Sequence, residues 1–224
     1  MNAGQSPPDS DRPGVDEPLR VAVFLSGSGR TLANLIRHRD ESGLPIDFRL
    51  VIGSRSGLKG LQIAESAGIT TRVVRKSDHP DPQEYCRAMF DPCRDAGAEL
   101  VVMAGFLKHV LIPTDFENRV INIHPSLLPA FGGQGMYGHR VHQAAIDRGV
   151  RISGCTVHFV DNQYDNGPIL WQRSCPVRPG DDADALADRV FQQECQALPE
   201  AIRMVHQDWR HSGEPTGGRD TMRQ

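Results

Sequence analysis

The sequence predicts a single α/β domain of Rossmann-like type, in which helices cover both faces of a mostly parallel sheet. Short runs of apolar and β-branched residues alternate with segments whose apolar residues recur at helical spacing. Such alternation is typical of parallel strands joined by right-handed helical crossovers. The chain has 224 residues, of which 38% are hydrophobic and 24% charged, so it can bury one core of ordinary size.

The first half of the chain carries the clearest alternation. Residues 19–25 (LRVAVFL) form an apolar run that ends in the glycine-rich SGSGRT, and a helical pattern follows as far as His38. Residues 48–53 (FRLVIG) predict a second strand, and a polar loop then leads to a helix near residues 60–67. A third strand, a helix and a fourth strand are predicted at 70–74, 83–96 and 100–104. Near-continuous apolar runs indicate strands that are buried on both faces.

The second half has a different texture. Residues 120–123 and 155–160 (CTVHFV) predict strands, residues 169–174 predict another, and residues 182–204 predict a long closing helix. Between the first two of these strands, the segment AFGGQGMYGHRVHQA at 130–144 is rich in glycine and is predicted to be a long loop.

Both ends of the chain are polar and rich in proline or glycine. They predict flexible tails at residues 1–18 and 209–224 around a single domain at 19–208. The first tail lacks the apolar stretch of a secretory signal, and no apolar run reaches the roughly 18 residues of a membrane helix. The net charge of −3 offers no basic field, so we expect neither a nucleic acid nor a membrane as partner.

The five cysteines are scattered and odd in number, which is typical of free thiols in a reducing compartment. We therefore expect a cytoplasmic protein. No pair of cysteines or histidines has the spacing of zinc ligands, and we expect no metal.

The first motif that could carry chemistry is SGSGRTL at residues 26–32, between the first strand and the first helix. Glycines allow close approach of a ligand to the backbone, and the N-terminus of a helix attracts phosphate. The spacing matches neither a dinucleotide fingerprint nor a Walker A loop, which argues against a dinucleotide or a nucleoside triphosphate. A strand-to-helix turn that simply needs glycine and a capping residue explains the motif equally well.

The second motif is INIHPSLLP at residues 121–129. Asn122 and His124 are two residues apart on an extended segment, so both side chains lie on the same face. An amide and an imidazole at the carboxyl edge of a sheet can polarise a carbonyl group and transfer a proton. The alternative is a histidine of the core, which the alternation of polar and apolar residues disfavours.

The third motif is HFVDNQYDNGP at residues 158–168, where a strand runs into a polar loop. Asp165 could orient an imidazole and favour its charged form. Taken alone, the same residues form an ordinary turn.

Taken in order, these motifs and AGFLKHVLIP at residues 104–113 resemble the glycinamide ribonucleotide formyltransferases, which are small members of the folate-dependent formyltransferase superfamily. The resemblance covers about residues 20–205. NIHPSLLP is shared by enzymes that transfer formyl groups from folate, whereas the Ser-Gly-x-Gly loop is similar to that of members that act on the ribonucleotide. This chain has GRT where many members have GSN; backbone donors would survive that change, and Arg30 could add charge.

The resemblance implies that Asn122, His124 and Asp165 are the catalytic residues. The residues that it implies for the ribonucleotide are Gly29, Arg30, Thr31 and Glu194, and those for the folate are Leu107, Lys108, His109, Val110 and Asn122, beside a loop at 162–165. His139 and His142 lie in the segment at 130–144 and are weaker candidates; we expect exposed loop histidines, above all for His142.

The implied reaction transfers a formyl group from 10-formyltetrahydrofolate to the amine of glycinamide ribonucleotide in purine synthesis, without a metal, in a monomer or homodimer. Asn122 and protonated His124 would stabilise the oxyanion, and Asp165 would hold His124. One alternative is a hydrolase that uses water as the acceptor, whose known relatives carry a further N-terminal domain. Another is a nucleotide-binding module without catalysis, which convergence of the three residues would disfavour.

Overall fold

In the computed structural model, which describes residues 17–212, seven strands form one sheet. The strands are β1 (Leu19–Leu25), β2 (Ile46–Gly53), β3 (Thr71–Val73), β4 (Leu100–Met103), β5 (Val120–His124), β6 (Ile152–Phe159) and β7 (Ile169–Pro176). Their spatial order is β3-β2-β1-β4-β5-β6-β7. The first five are parallel, and β6 and β7 are antiparallel to their neighbours. The predicted α/β class with a mostly parallel sheet is confirmed.

Helices cover both faces of this sheet. They are α1 (Arg30–Ser42), α2 (Lys59–Ser66), α3 (Pro82–Asp95), α4 (His139–Arg148) and α5 (Ala183–Ser212). Buried residues of α1, α2, α4 and α5 share one core cluster, and those of α3 belong to a second cluster on the opposite face.

The central strand β1 shows why the sequence pattern is so apolar. Val21 and Val23 pack into the first cluster, whereas Ala22 and Phe24 pack into the second. A strand with layers on both sides has no solvent-facing side, so its side chains are apolar at successive positions. Only Arg20, near the start of β1, is exposed.

Residues 139–148 form helix α4, so the prediction of one long loop at 130–144 was wrong for its second part. Val141 and Ala145 are buried on one side of α4, four residues apart, and Gly149 ends the helix in the left-handed conformation with φ 73°. The glycines that precede the helix concealed this short amphipathic pattern.

Helix α5 continues to Ser212, beyond both the predicted helix end at 204 and the predicted domain limit at 208. Val205 and Trp209 extend its buried face at a spacing of four residues, which explains the additional turns. Residues 209–212 of the predicted C-terminal tail are therefore helical. The remainder of both predicted tails, residues 1–16 and 213–224, lies outside the described residues.

Candidate active site

A pocket of about 550 Å³ lies at the edge of the sheet where β1, β4 and β5 end. Open α/β sheets bind ligands at the carboxyl ends of their strands. One side is the loop wall, which consists of residues 105–112 and 160–165. The other is the helix wall, which consists of residues 27–31 with the start of α1, α4, and the pocket face of α5. Asn122 and His124 lie between the two walls.

The glycine-rich loop after β1 brings the start of α1 to the pocket. Gly29 has φ 74° and precedes the first residue of α1, and no side chain of residues 17–212 caps this helix. A Cβ atom at Gly29 would lie 2.4 Å from the Cα of Gly60, so the backbones of the two helix starts are in contact. Gly29, Arg30 and Thr31 all line the pocket, as the sequence predicts for an anion site.

The side chain of Arg30 is turned toward α5. Its guanidinium lies 3.8 Å from the ring centroid of Phe191, and one of its nitrogens is 3.6 Å from Asp188 Oδ1. Phe191 and Glu194 belong to the pocket face of α5. Burial raises the pKa of Glu194 to about 7, although Arg30 acts in the opposite direction. The helix wall thus offers a cation and a carboxyl group that is partly protonated near neutral pH.

Asn122 is held by a histidine that the sequence analysis did not identify. Its amide nitrogen donates to His158 Nε2 over 3.1 Å, and His158 Nδ1 donates to the Phe159 carbonyl oxygen over 2.9 Å. Burial lowers the pKa of His158, which favours this neutral tautomer. Asn122 and His158 face each other across the antiparallel pair of β5 and β6. His158 interrupts an apolar strand, but its pairing register cannot be derived from the sequence.

His124 is 3% exposed and has an oxygen atom near each ring nitrogen. Nε2 donates to the Phe131 carbonyl oxygen over 2.9 Å, and Nδ1 lies 3.5 Å from Asp165 Oδ2. The structure therefore brings Asn122, His124 and Asp165 together, although they come from two segments of the chain.

Asp165 occupies a strained position with φ 52°. Its Oδ2 accepts a hydrogen bond of 2.9 Å from the Gly133 N–H group, and its Oδ1 lies 3.7 Å from His158 Nε2. A Cβ atom at Gly132 would lie 3.3 Å from the Cβ of Asp165. The carboxylate is thereby fixed by the backbone of the glycine-rich segment before α4.

The loop wall is held by hydrogen bonds from backbone N–H groups to side-chain oxygen atoms. The N–H group of Leu107 donates to Ser26 Oγ over 3.0 Å, and that of Ile112 donates to Asn162 Oδ1 over 2.8 Å. The rings of His109 and Tyr164 are 4.9 Å apart, so the two loops of this wall also touch through side chains. Residues 107–110, which the resemblance implies for the folate, line the pocket together with Tyr164 of the loop at 162–165 and with Asp161.

His139 and His142 were expected to be exposed loop histidines, and the structure contradicts this for His142. His139 begins α4 and is exposed, with Nε2 3.5 Å from Asp184 Oδ1. His142 is 5% exposed, lines the pocket and is helical, so the prediction of an exposed loop histidine was wrong. The physical reason is the helical spacing of α4, which directs Val141, His142 and Ala145 inward.

Residues 17–212 contain neither a cluster of metal ligands nor a membrane-spanning helix. No group of three or more histidine, cysteine, aspartate and glutamate side chains has a geometry that could hold a metal ion. None of the helices in this part of the chain is long and apolar enough to span a membrane.

The chain is similar in sequence to known formyl transferases. The profile of the formyl transferase family matches residues 19–202. The chloroplastic phosphoribosylglycinamide formyltransferase of Vigna unguiculata is 39% identical over 204 residues, which are 88% of this chain and 64% of that protein. The trifunctional purine biosynthetic protein adenosine-3 of Gallus gallus is 36% identical over 189 residues, which are 84% of this chain and 18% of that protein.

Solved structures agree with this. Glycinamide ribonucleotide transformylase 1 from Symbiobacterium toebii superposes with a TM-score of 0.80 at 35% identity, covering 85% of this chain and 89% of that chain. Phosphoribosylglycinamide formyltransferase from Brucella melitensis superposes with a TM-score of 0.76 at 35% identity, covering 85% and 96%.

Proposed function

The chain belongs to the formyl transferase family, and from that premise we propose that it transfers a formyl group from 10-formyltetrahydrofolate to the amine of glycinamide ribonucleotide, a step of purine synthesis. The observation that carries the proposal is the convergence of Asn122, His124 and Asp165 on one pocket, between a glycine-rich helix start and a hydrogen-bonded loop wall. A nucleotide-binding module without catalysis would not need this trio.

The two walls suit the two substrates. Backbone N–H groups at Gly29–Thr31 and the start of α1 would bind the phosphate, with the Arg30 guanidinium in reach after leaving Phe191. Glu194 would bind the ribose hydroxyl groups. The loop wall has hydrogen-bonding backbone at residues 107–110 and apolar lining at Met103 and Phe106, which suits a flat pterin ring with polar edges.

In the proposed reaction the acceptor amine attacks the formyl carbon, and negative charge develops on the formyl oxygen. The amide N–H of Asn122 that His158 does not use would donate to this oxygen. Such donors are typically worth about 2.7–4 kcal/mol each. His158 thus positions Asn122, because it fixes which end of the amide faces the substrate.

His124 would supply the second donor and the proton. Its Nδ1 contact with Asp165, at 3.5 Å, is longer than a hydrogen bond, so this side of the ring can donate to a substrate while the Phe131 carbonyl oxygen holds the other side. As the new C–N bond forms and the bond to folate breaks, the ring would protonate the departing folate nitrogen. The proton of the amine would leave to solvent, and Asp165 would balance the charge of the ring.

We place this activity in the cytoplasm, because all five cysteines are free. The site has no need of a nucleic acid, and the protein would act as a monomer or homodimer. The chain spans 64% of the length of the Vigna relative and 18% of that of the Gallus relative, so further activities of those longer proteins are not transferred to it.

The test is a spectroscopic assay of 10-formyltetrahydrofolate with the purified protein, with and without glycinamide ribonucleotide. We expect consumption of the formyl donor only when the ribonucleotide is present, and release of formylated ribonucleotide. If the protein consumes the formyl donor equally fast without the ribonucleotide, the result would favour the hydrolase. No consumption in either case, with intact binding of the ribonucleotide, would favour the module without catalysis.

A further inference from the structure

His142 is a buried polar side chain whose hydrogen-bonding capacity is not used within the protein. It is 5% exposed, and its Nδ1 atom has no hydrogen-bond partner among residues 17–212. It nevertheless lines the pocket of about 550 Å³. The other ring nitrogen, Nε2, has no hydrogen-bond partner among residues 17–212 and is not enclosed in this way, so it is the atom that a ligand in the pocket can reach.

The ring is electrically neutral at physiological pH. Burial lowers the pKa of His142 to about 4, with smaller contributions from His139 and His124, while Asp184 acts in the opposite direction. A neutral imidazole has one N–H donor and one nitrogen acceptor. It is suited to a neutral polar group of a ligand and cannot serve as an electrostatic anchor for phosphate.

The position of His142 along the helix wall narrows the choice of ligand group. Asp184, Ala187, Phe191 and Glu194 form the pocket face of α5, which runs from α4 to the anion site at the start of α1. His142 is at the α4 end of this face, close enough to His124 and Asp184 for their charges to act on it. A ribonucleotide whose phosphate is at Gly29–Thr31 and whose amine reaches His124 must pass this end with the arm that carries the amine.

We propose that His142 hydrogen-bonds the glycinamide arm of the acceptor and so positions its amine for attack. The inference rests on the proposed function. The arm contains an amide with one N–H donor and one carbonyl acceptor, and either complements a neutral imidazole. The Nε2 atom of His142 would make this contact, because Nδ1 is enclosed within the protein.

The experiment measures dissociation constants by calorimetry in the absence of folate for wild type, His142→Leu and His142→Gln. Two ligands are used: glycinamide ribonucleotide, and ribose 5-phosphate, which lacks the glycinamide arm. For His142→Leu we expect the affinity for the ribonucleotide to fall about tenfold, and that for ribose 5-phosphate to stay unchanged. His142→Gln, which keeps a donor and an acceptor, should recover part of the loss.

The melting temperature of the free protein separates binding from structure. His142→Leu should melt at or above the wild-type temperature, because it removes a buried polar atom without a partner. His38→Leu is the matched control: His38 is a half-buried histidine of α1 that does not line the pocket, so its variant should bind both ligands like wild type. His142→Met replaces the leucine variant should the latter fail to fold.

The outcomes separate this inference from the proposed function. If wild type binds the ribonucleotide and His142→Leu binds it equally well, the inference is overturned and the proposed function stands. An equal loss of affinity for ribose 5-phosphate would also overturn it, since the effect would then not involve the arm. If wild type binds neither ligand, the proposed function itself fails.

Discussion

The two walls of the pocket are held in different ways. In the loop wall, backbone N–H groups of Leu107 and Ile112 donate to side chains that lie 81 and 50 residues away in sequence, at 3.0 and 2.8 Å. In the helix wall, the contacts join partly exposed side chains, such as Arg30 on Phe191 and His139 beside Asp184. Backbone hydrogen bonds fix a loop before a ligand arrives, whereas exposed side-chain contacts are weak and can rearrange.

Because of this difference, we expect the two substrates to differ in how much the protein changes shape when they bind. The loop wall is preformed, so its ligand should bind with little change of shape. In the proposed function, the Arg30 guanidinium of the helix wall would leave Phe191 to meet the phosphate. Asn122 and His124 lie between the walls, and together with Asp165 of the loop wall they should affect turnover more than the affinity for either substrate.

The largest expected effect is at this centre. Asp165→Asn keeps the shape but removes the charge that faces His124, so turnover should fall about 10²–10³-fold while the KM of both substrates changes little. Steady-state kinetics measure both quantities. Asp147→Asn, on the exposed side of α4, is the control, because Asp147 lies outside the pocket and accepts a hydrogen bond from Gln143. Turnover near the wild-type value in Asp165→Asn would remove this residue from the mechanism.

The next effect concerns the backbone of the helix wall. Gly29→Ala combines a positive φ with a Cβ atom 2.4 Å from the Gly60 Cα, so we expect a loss of about 3 kcal/mol of unfolding free energy and a weaker ribonucleotide affinity. Denaturant unfolding measures the loss. Gly43→Ala has φ 59° but open space around its Cβ, so it should lose only about 1 kcal/mol. Equal losses would show that the contact with Gly60 does not matter.

A smaller effect tests the side chains of the helix wall. Arg30→Ala removes a cation from the anion site, so the KM for the ribonucleotide should rise about tenfold and that for the folate should not change. Arg39→Ala, on the same helix and outside the pocket, serves as the control. An equal rise for both substrates would contradict the separation of the walls.

The smallest effect tests the loop wall. Asn162→Ala removes the acceptor of the Ile112 N–H group, so the KM for the folate should rise about fivefold with an unchanged KM for the ribonucleotide. Asn166→Ala removes a side chain that donates to Asp161 and does not line the pocket, so both values should stay unchanged. A rise for the ribonucleotide alone would reverse the assignment of the walls.

The sequence predicted the parallel half of the fold well because that information is local. Strands buried on both faces are apolar at successive positions, and glycine after β1 marks the turn into α1. The proximity of Asn122 and His124 also follows from strand geometry alone. Helix α4 was missed because ten residues with three inward positions give a weak pattern behind four glycines.

The parts of the site that the sequence did not reveal depend on long-range pairing. His158 meets Asn122 only through the register of β5 and β6, 36 residues apart in the chain. Arg30 meets Phe191 through the packing of α1 on α5. Residue spacing does not predict either contact. The resemblance therefore identified the segments of the site but not His158 or Phe191 as partners.

The continuation of α5 to Ser212 has a practical consequence for where the ends of an engineered form of the domain could be placed. Arg210 donates to the carbonyl oxygens of Glu17 and Pro18 and pairs with Glu99, and His206 also contacts the Glu17 carbonyl oxygen. These hydrogen bonds join the first and last described segments near the start of β1, at the end of the strand that is remote from the pocket. A short linker could join them, and new ends could be opened at an exposed turn such as Gly68, which makes the domain a candidate for circular permutation. Trimming the chain to residues 19–208 would instead remove these hydrogen bonds and the buried Trp209.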